Sequence, residues 1–515
     1  MVNVSVGQRQ LFVDDHILDT AASSGVLQIL NQPTKFPSPL IEYPRAPPGP
    51  WLGPAAKSGP GSGAEMLAVF EGNVNYDRGR QMFEMWYMPC IQSWGECWLA
   101  YAESPDGRRW RKPSLGIISY NGSKQNNLVF HEPAGEMMAG IVVGPASRAA
   151  ADGPERKYKM LHRVMNASGA VGGACLGTAF SRDGKHWAVD PTRRCALLTA
   201  DTTTQVVWSE PRQRYLATTR IDSTSAAITR TVLISESEDF ISWQRLGTLG
   251  ADRFDPVYAR EFYDLPFFEV PHSGGLLVGC LNIYHIINSW EGPNCPPSPR
   301  PSWFDRLSYQ LVSSRNGSSW QRAADRQVFL PNGPPESADG GILWMYSAPV
   351  EVNGSVYFFY SGFEGTHWSV ERSQYQGGVV MGAALRRDGF VSMDSAAPGG
   401  EVLTRFFAVG GAAARLVLNA ATQPDAELAP MGNGSIAVEV QGANGVAIPG
   451  FRLEDCLPMV GVDELAWEVH WRSATPADLA ELRGRVVRLR FVMGRAKLFS
   501  FQLQAGQEAR ARTTQ

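Results

Sequence analysis

Short apolar segments recur along most of this chain, and turn residues separate them at short intervals. Examples are Leu176-Gly-Thr-Ala-Phe and Tyr309-Gln-Leu-Val. No segment sustains apolar residues at a spacing of 3.6, so the pattern excludes repeats of helical pairs. Many turns, many aromatic residues and short apolar segments predict an all-β protein with short strands.

A turn motif recurs after these apolar strands and divides the first 400 residues into similar units. A serine is followed by Asp-Gly or a related pair and then by tryptophan, and the copies are roughly 55 to 77 residues apart. Four copies are clear and the fifth is weaker: Ser104–Trp110, Ser181–Trp187, Ser237–Trp243, Ser314–Trp320 and Arg386–Ser392. Glycine supplies the positive φ that a tight hairpin needs. Five units of strand, turn, strand and Asp-Gly hairpin predict a five-bladed β-propeller.

The pattern changes near residue 400. From Arg405 to Gln504 every second residue of several segments is apolar, which predicts half-buried strands of a β-sandwich. We therefore predict a propeller at 1–400, a sandwich at 401–506 and a loose tail at 507–515. The clearest helical segment is Pro476–Leu482, with Thr475 as its N-cap.

Composition excludes several classes of function. Charged residues make up 19% of 515 residues and the net charge is -3, which argues against a nucleic-acid surface. No apolar run reaches the roughly 18 residues that span a membrane, and the first residues do not look like a signal peptide. Six Asn-x-Ser sequons slightly favour a secretory route. Oligomeric state and compartment stay open.

The seven cysteines contain no Cys-x-x-Cys pair, so we predict no zinc site. Local disulfides between Cys90 and Cys97 and between Cys280 and Cys295 are one interpretation. Buried free thiols are the favoured one. No calcium-binding Asp-x-Asp-x-Asp loop is present, and we predict neither a metal nor a cofactor.

Candidate chemistry concentrates between Arg253 and His285. Ionisable side chains lie here among aromatic and aliphatic residues, where they need partners or a function. They are Asp255, Arg260, Glu261, Asp264 and His285. We interpret this segment as the lining of a polar pocket at the centre of the propeller.

The turn motif and several longer stretches resemble a superfamily of glycoside hydrolases, that of families 32, 43, 62, 68 and 117. The narrower likeness is to a bacterial family 32-like group. It lies in Leu11–His16, Asn121–Val129, Arg260–Phe268, Leu385–Ser392 and Pro449–Asp455. The resemblance implies a five-bladed propeller with a trailing sandwich and three acidic residues at its axis.

Carried over by position, the resemblance implies roles for five residues. Glu261 matches the general acid, with Asp264 as an alternative, and Asp14 or Asp15 would be the nucleophile or base. Asp255 or Asp264 would orient the other carboxylates. The chain departs from the family at the N-terminal Asn-Asp-Pro, which is missing, and at Gly144-Pro145, where an Asp-Pro is expected.

Further residues are candidates for substrate contact, each with a structural alternative. Arg260 either binds substrate or pairs with a neighbouring carboxylate. His285 either binds a sugar hydroxyl or is a satisfied core histidine. Asp339 either contacts the substrate or is a turn aspartate, and turn aspartates are common. His367 and Trp368 follow a strand of the last unit, where an aromatic ring can stack on a sugar. The aspartates of the repeated turns are structural.

These features predict a glycoside hydrolase-like protein that cleaves an oligosaccharide or glycoside with two carboxylates. The alternative is a carbohydrate-binding or scaffold relative that has lost part of the acidic triad.

Overall fold

The computed structural model describes residues 1–42, 66–91, 97–120, 122–131, 139–165, 174–190, 195–197, 204–221, 230–286, 304–367, 378–396, 399–423, 432–472 and 478–506. Within these ranges the regular structure is almost entirely β, which confirms the predicted class. The described helical segments are the α-helix Ala149–Asp152 and the 3₁₀ turns Ala146–Arg148, Pro154–Arg156, Val257–Ala259, Ala324–Arg326 and Asp478–Leu482. None of the described helices is long and apolar enough to span a membrane.

Three short N-terminal strands complete sheets that are otherwise built from later parts of the chain. They are β1 (Arg9–Leu11), β2 (Leu27–Leu30) and β3 (Thr34–Lys35).

Five antiparallel sheets follow in chain order. Sheet 1 contains β4 (Met66–Asp77), β5 (Met82–Ile91), β6 (Leu99–Ser104) and β7 (Leu128–Phe130). Sheet 2 contains β8 (Ala139–Val143), β9 (Tyr158–Met165), β10 (Ala174–Ser181) and β11 (Ala188–Val189). Sheet 3 contains β12 (Gln205–Ser209), β13 (Arg214–Ile221), β14 (Thr231–Ser237) and β15 (Trp243–Leu249). Sheet 4 contains β16 (Glu261–Phe262), β17 (Phe267–Glu269), β18 (Leu277–His285), β19 (Arg306–Ser314), β20 (Gln321–Arg322) and β21 (Val328–Leu330). Sheet 5 contains β22 (Ile342–Met345), β23 (Val350–Val352), β24 (Ser355–Phe363), β25 (Val379–Arg386) and the N-terminal β3.

The remaining strands form the C-terminal part. They are β26 (Val391–Ser395), β27 (Gly400–Leu403), β28 (Phe407–Ala408), β29 (Ala413–Ala421), β30 (Ser435–Gly442), β31 (Cys456–Leu457), β32 (Met459–Val460), β33 (Asp463–Glu468), β34 (His470–Trp471), β35 (Val486–Gly494) and β36 (Ala496–Ala505). One sheet has the order β2-β26-β36-β29-β33 with β1 also on β36, and another has the order β27-β35-β30-β32 with β28 also on β35. β31 and β34 form a separate pair. Both larger sheets contribute to one core, in which Phe12, Phe491 and Phe501 are buried.

The repeated turn folds as its sequence predicts. In the first copy the Ser104 hydroxyl accepts the Gly107 amide at 2.9 Å, and the Asp106 carboxylate accepts the amides of Arg108 and Arg109 at 2.9 and 2.8 Å. Gly107 has φ of +72°, a conformation that glycine adopts without strain. The motif is thus a local hydrogen-bonded unit.

The weaker fifth copy has a different role. The strand that follows it, β26, pairs with β2 and β36 instead of returning to sheet 5. The outer strand of sheet 5 is β3, where Lys35 pairs with Ala383. Sheet membership therefore does not change at residue 400, because β1, β2 and β26 all join the C-terminal part.

The five sheets pack against one another in sequence. The inner strands β4, β8, β12 and β17 contact one another in that order, and β22 contacts β4. The Ser347 amide donates to the Gly72 carbonyl at 2.9 Å, which joins sheet 5 to sheet 1. Contacts between the first and last sheets thus join residues that are far apart in sequence.

The cysteines correct one prediction. Cys175 and Cys195 form a disulfide across 20 residues, and Cys97 is also disulfide-bonded, so the expectation of free thiols is wrong for these three cysteines. Cys280 and Cys456 are buried free thiols. A Cys280–Cys295 disulfide is therefore excluded, while Cys295 itself lies outside the described residues. The predicted helix at Pro476–Leu482 is a 3₁₀ turn at Asp478–Leu482, and its proposed cap, Thr475, lies outside the description.

Candidate functional site

Glu261 lies at the start of the inner edge of sheet 4 and is 3% exposed. It pairs with Tyr284 of the neighbouring strand. Its Oε2 accepts the backbone amide of Arg230 at 2.9 Å and the guanidinium of the same residue at 3.4 Å. Both contacts fall on Oε2, and Oε1 has no hydrogen-bond partner among the described residues. The side chain is therefore oriented by one oxygen and presents the other.

Aromatic and basic side chains from three consecutive sheets surround this carboxylate. Tyr263 Oη lies 2.9 Å from His367 Nε2, and the Arg220 guanidinium lies 4.4 Å from the Tyr263 ring centre. Arg230 lies 5.0 Å from the ring centre of Tyr284. We define the Glu261 cluster as Arg220, Arg230, Glu261, Tyr263, Tyr284, Asp305, Trp344 and His367.

The outer members of the Glu261 cluster fix its aromatic rings. Tyr284 donates its hydroxyl to Asp305 at 2.7 Å, and the His367 amide donates to the Asp305 carbonyl at 3.0 Å. The Trp344 ring lies 6.1 Å from that of His367. The cluster thus combines aromatic rings with hydrogen-bonding groups, and Tyr284, Trp344 and His367 are buried.

Asp264 lies three residues after Glu261 but in a different environment. It is 2% exposed and lies close enough to the buried Tyr309 for its charge to act on that hydroxyl. The Tyr309 hydroxyl oxygen accepts the Met345 amide at 2.6 Å and the Asn282 side-chain amide at 3.1 Å. Burial, and then the charge of Asp264, raise the pKa of Tyr309 well above its usual range. Asp264 thus belongs to a network between sheets 4 and 5.

The break between β16 and β17 explains how two carboxylates so close in sequence meet different neighbours. Residues 263–266 leave the regular ladder, although the Tyr263 amide still donates to Asn282 at 2.8 Å. In a regular strand, residues i and i+3 point to opposite faces. Here the irregular stretch sets Glu261 against sheet 3 and Asp264 beside Tyr309.

Asp14 and Asp15 lie at the other end of sheet 4. Asp14 forms an ion pair with Arg315 at 2.7 Å, and Asp15 is exposed in the same cleft of about 410 Å³. Arg315 follows Ser314, which pairs with Leu277, whereas Glu261 pairs with Tyr284. Seven residues of strand separate the two levels, a distance of roughly 23 Å. The structure does not bring either N-terminal aspartate to Glu261.

Asp255 and Arg260 form part of an ionic network at the outer edge of sheet 4. The Asp255 carboxylate lies 3.1 Å from Arg322 and 2.6 Å from Arg326. Arg260 donates Nε to the Asp255 carbonyl at 3.0 Å. These contacts hold the segment that leads into Glu261.

Asp339, His285 and His367 were each proposed either to contact substrate or to have a structural role. Asp339 binds Lys35 at 2.6 Å and the Tyr360 hydroxyl at 2.9 Å, which are contacts within sheet 5. His285 Nε2 lies 2.7 Å from the Ser308 hydroxyl, and burial lowers its pKa to about 4. Of these three candidates only His367 belongs to the Glu261 cluster. Trp368 lies outside the described residues.

Sequence reasoning did not select Arg220, Arg230 or Trp344. The available signal was weak, because an arginine at the end or start of a strand is usually a solvated side chain. Their role depends on the packing of sheets 3 and 5 against sheet 4. No group of three or more metal-ligating His, Cys, Asp or Glu side chains occurs in the described part of the chain.

No family model matches the sequence, and no curated protein matches it either. The structure is similar to a β-fructofuranosidase of glycoside hydrolase family 32 from Bombyx mori, at 12% identity over 86% of this chain and 92% of that chain, with a TM-score of 0.41. It is also similar to an N-acetylgalactosamine deacetylase from F. plautii in complex with blood group B trisaccharide, at 16% identity over 71% and 97%, with a TM-score of 0.45. A family 43 arabinoxylan arabinofuranohydrolase from Bacillus subtilis, in complex with cellotetraose, matches at 11% identity over 86% and 96%, with a TM-score of 0.33.

These similarities to glycoside hydrolases of families 32 and 43 agree with the resemblance seen in the sequence motifs. At these identities and TM-scores we draw no conclusion about substrate or mechanism from them.

Proposed function

We propose that this protein is a glycoside hydrolase-like enzyme that cleaves an oligosaccharide or glycoside at the Glu261 cluster. The observation that carries the proposal is the state of Glu261. One carboxylate oxygen is fixed by Arg230 and the other has no hydrogen-bond partner among the described residues, within a wall of aromatic rings. A general acid needs such a fixed orientation toward the glycosidic oxygen.

The architecture that we propose for this site is a five-bladed β-propeller followed by a β-sandwich. Sheets 1 to 5 would be the blades, and the contact between sheets 5 and 1 supports a closed ring. We place the propeller within residues 1–400 and the sandwich at 401–506, with β1, β2 and β26 added to the sandwich. Residues 507–515 would be the tail.

In this proposal Glu261 is the general acid, and Asp264 orients the site from the Tyr309 network. Asp264 is three positions after Glu261 in the chain, so their Cα atoms lie within about 11 Å. Arg220, Tyr263, Trp344 and His367 would contact the sugar. We leave Asp14, Asp15, Asp255, Arg260, His285 and Asp339 out of these roles because none of them lies in the Glu261 cluster.

A second function is carbohydrate binding without hydrolysis. It is favoured by the positions of the carboxylates that were candidates to act together with Glu261. Hydrolysis of a glycoside uses two carboxylates about 5 to 9.5 Å apart. Asp14 and Asp15 lie roughly 23 Å away, and Asp264 is packed against Tyr309. A carbohydrate-binding protein without hydrolytic activity would need only the Glu261 cluster.

The test is release of reducing sugar from fructans, arabinans and galactans, together with binding of the same polymers measured by calorimetry. Glu261→Gln should lower kcat by about 10²- to 10⁴-fold, since it removes the proton donor. Glu439→Gln is the matched control, because Glu439 is also buried beside an arginine, Arg490 at 3.3 Å, but lies in the C-terminal part.

The outcomes separate the two functions. Equal release by wild type and Glu261→Gln would remove Glu261 from the mechanism. Binding that Trp344→Ala abolishes, with no release by wild type, would establish the binding protein instead. Neither binding nor release by the wild type would overturn both.

A further inference from the structure

A cavity of about 320 Å³ lies at the end of the five sheets opposite to Glu261. The inner strands of all five sheets reach it. On sheet 4 it is lined by Glu269, which pairs with Leu277, seven residues of β18 away from the partner of Glu261. The cavity is therefore roughly 23 Å from the Glu261 cluster and separate from it.

Two half-buried carboxylates line this cavity in the same manner. Glu269 Oε2 accepts the Ser209 hydroxyl and lies 3.5 Å from Arg212. Glu351 Oε2 lies 2.9 Å from Arg9. Neither Oε1 has a hydrogen-bond partner among the described residues, so each carboxylate has one oxygen left to accept a hydrogen bond.

Aromatic residues and a few further polar groups also line the cavity, together with valines, prolines and other apolar residues. Tyr76 and Trp208 both line the cavity, and the Tyr76 hydroxyl has no hydrogen-bond partner among the described residues. Asn75 donates its side-chain amide to Glu84 at 3.0 Å, which leaves its carbonyl oxygen as an acceptor. The exposed Arg78 at the rim supplies donors.

Charge decides between a cation and a neutral ligand. Each carboxylate has an arginine beside it, Arg212 for Glu269 and Arg9 for Glu351, and Arg78 adds a positive charge at the rim. The cavity is thus not a net anionic site that would attract a cation. Free acceptors, a few donors and ring faces instead suit a compound with several hydroxyl groups.

We infer that this cavity is a second carbohydrate site, which binds a single neutral sugar ring. Its volume is at the lower end of the roughly 300–1,000 Å³ found for ligand sites, which favours one ring over an oligosaccharide. The argument uses only residues of the cavity and does not rest on the function proposed for the Glu261 cluster.

The experiment is ¹⁹F NMR of the full chain labelled with 5-fluorotryptophan. The resonances that disappear in Trp208→Phe and Trp344→Phe report on the cavity and on the Glu261 cluster. The probes are D-glucose, D-galactose, D-fructose and L-arabinose, each titrated alone. We expect at least one of them to shift the Trp208 resonance.

Two variants test the binding groups. Glu269→Gln should weaken the affinity read from Trp208 by about tenfold or more, because a charged acceptor is lost. Val143→Phe narrows the cavity without touching its polar groups and should have the same effect. Glu261→Gln and the control Glu439→Gln should leave the affinity unchanged, and thermal unfolding of each variant verifies folding.

No shift of the Trp208 resonance with any of the four sugars would overturn the inference, as would an unchanged affinity in both Glu269→Gln and Val143→Phe. A titration that moves only the Trp344 resonance also overturns it and leaves the proposed function standing. Movement of Trp208 alone, in a protein that releases no reducing sugar, supports the inference while the proposed function fails.

Discussion

Arg9 Nη1 lies 2.7 Å from Asp388 Oδ1, and both side chains are almost fully buried. The second oxygen of Asp388 accepts the Ser500 hydroxyl at 2.7 Å, and Arg9 also binds Glu351 at 2.9 Å. Arg9 and Ser500 belong to strands β1 and β36 of the C-terminal part, whereas Glu351 lies on β23 of sheet 5. This buried network therefore fixes the two parts of the molecule to each other.

Arg9→Ala should lower the free energy of unfolding by about 3–5 kcal/mol, because the carboxylate of Asp388 then loses its charged partner while buried. Urea unfolding followed by fluorescence measures the change. The control is Arg452→Ala, which removes an exposed pair with Glu454 at 3.2 Å and should cost less than about 1 kcal/mol. Similar changes for the two variants would show that the Arg9 network does not stabilise the fold.

The Cys175–Cys195 disulfide should stabilise sheet 2. Without the disulfide, the 20-residue loop is no longer closed and the unfolded chain gains conformational entropy. This gain corresponds to a loss of about 3 kcal/mol in the free energy of unfolding. We expect the free energy of unfolding of the double variant Cys175→Ser/Cys195→Ser to be lower by about 3 kcal/mol. Its midpoint of thermal unfolding should be lower accordingly. Calorimetry with and without dithiothreitol supplies the check, since a reductant should affect the double variant less than the wild type.

Stability should increase with pH in the range where His285 titrates. Burial lowers the pKa of His285 to about 4, so from about pH 6.5 down to 4 the unfolded chain binds a proton that the folded chain does not. Stability is fully present above the unfolded value and is lost as the pH falls toward the folded one, by up to about 3 kcal/mol. His16, whose pKa is also lowered, acts in the same direction.

His285→Gln isolates this contribution, because glutamine does not titrate. The free energy of unfolding of the variant should depend less on pH between 4 and 6.5 than that of the wild type. Parallel curves over this range would contradict the assignment to His285.

Tyr309→Phe should lower the free energy of unfolding by about 1–3 kcal/mol. The Met345 amide and the Asn282 side-chain amide would lose an acceptor that is inaccessible to water, and such groups are costly to leave unsatisfied. Tyr76→Phe serves as the control, since its hydroxyl has no partner among the described residues, and we expect a change within about 0.5 kcal/mol. Chemical denaturation compares the two, and an equal, small change in both would show that the Tyr309 network contributes little.

The sequence alone determined the local units of this protein. Ser104, Asp106 and Gly107 hydrogen-bond within one turn, so their order in the chain suffices to predict it. The alternation in β35, where every second residue is buried, was likewise visible before the structure. Such features depend on neighbours only a few residues away.

The site was decided by tertiary structure. Glu261 was selected from the sequence, but its partner Arg230 is 31 residues away and reaches it only because sheet 3 packs against sheet 4. His367 meets Tyr263 across 104 residues, and the motif that nominated Asp14 does not place it near Glu261. Local hydrogen bonds and periodicity fix strands and turns, whereas the face and level at which distant strands meet depend on the packing of whole sheets.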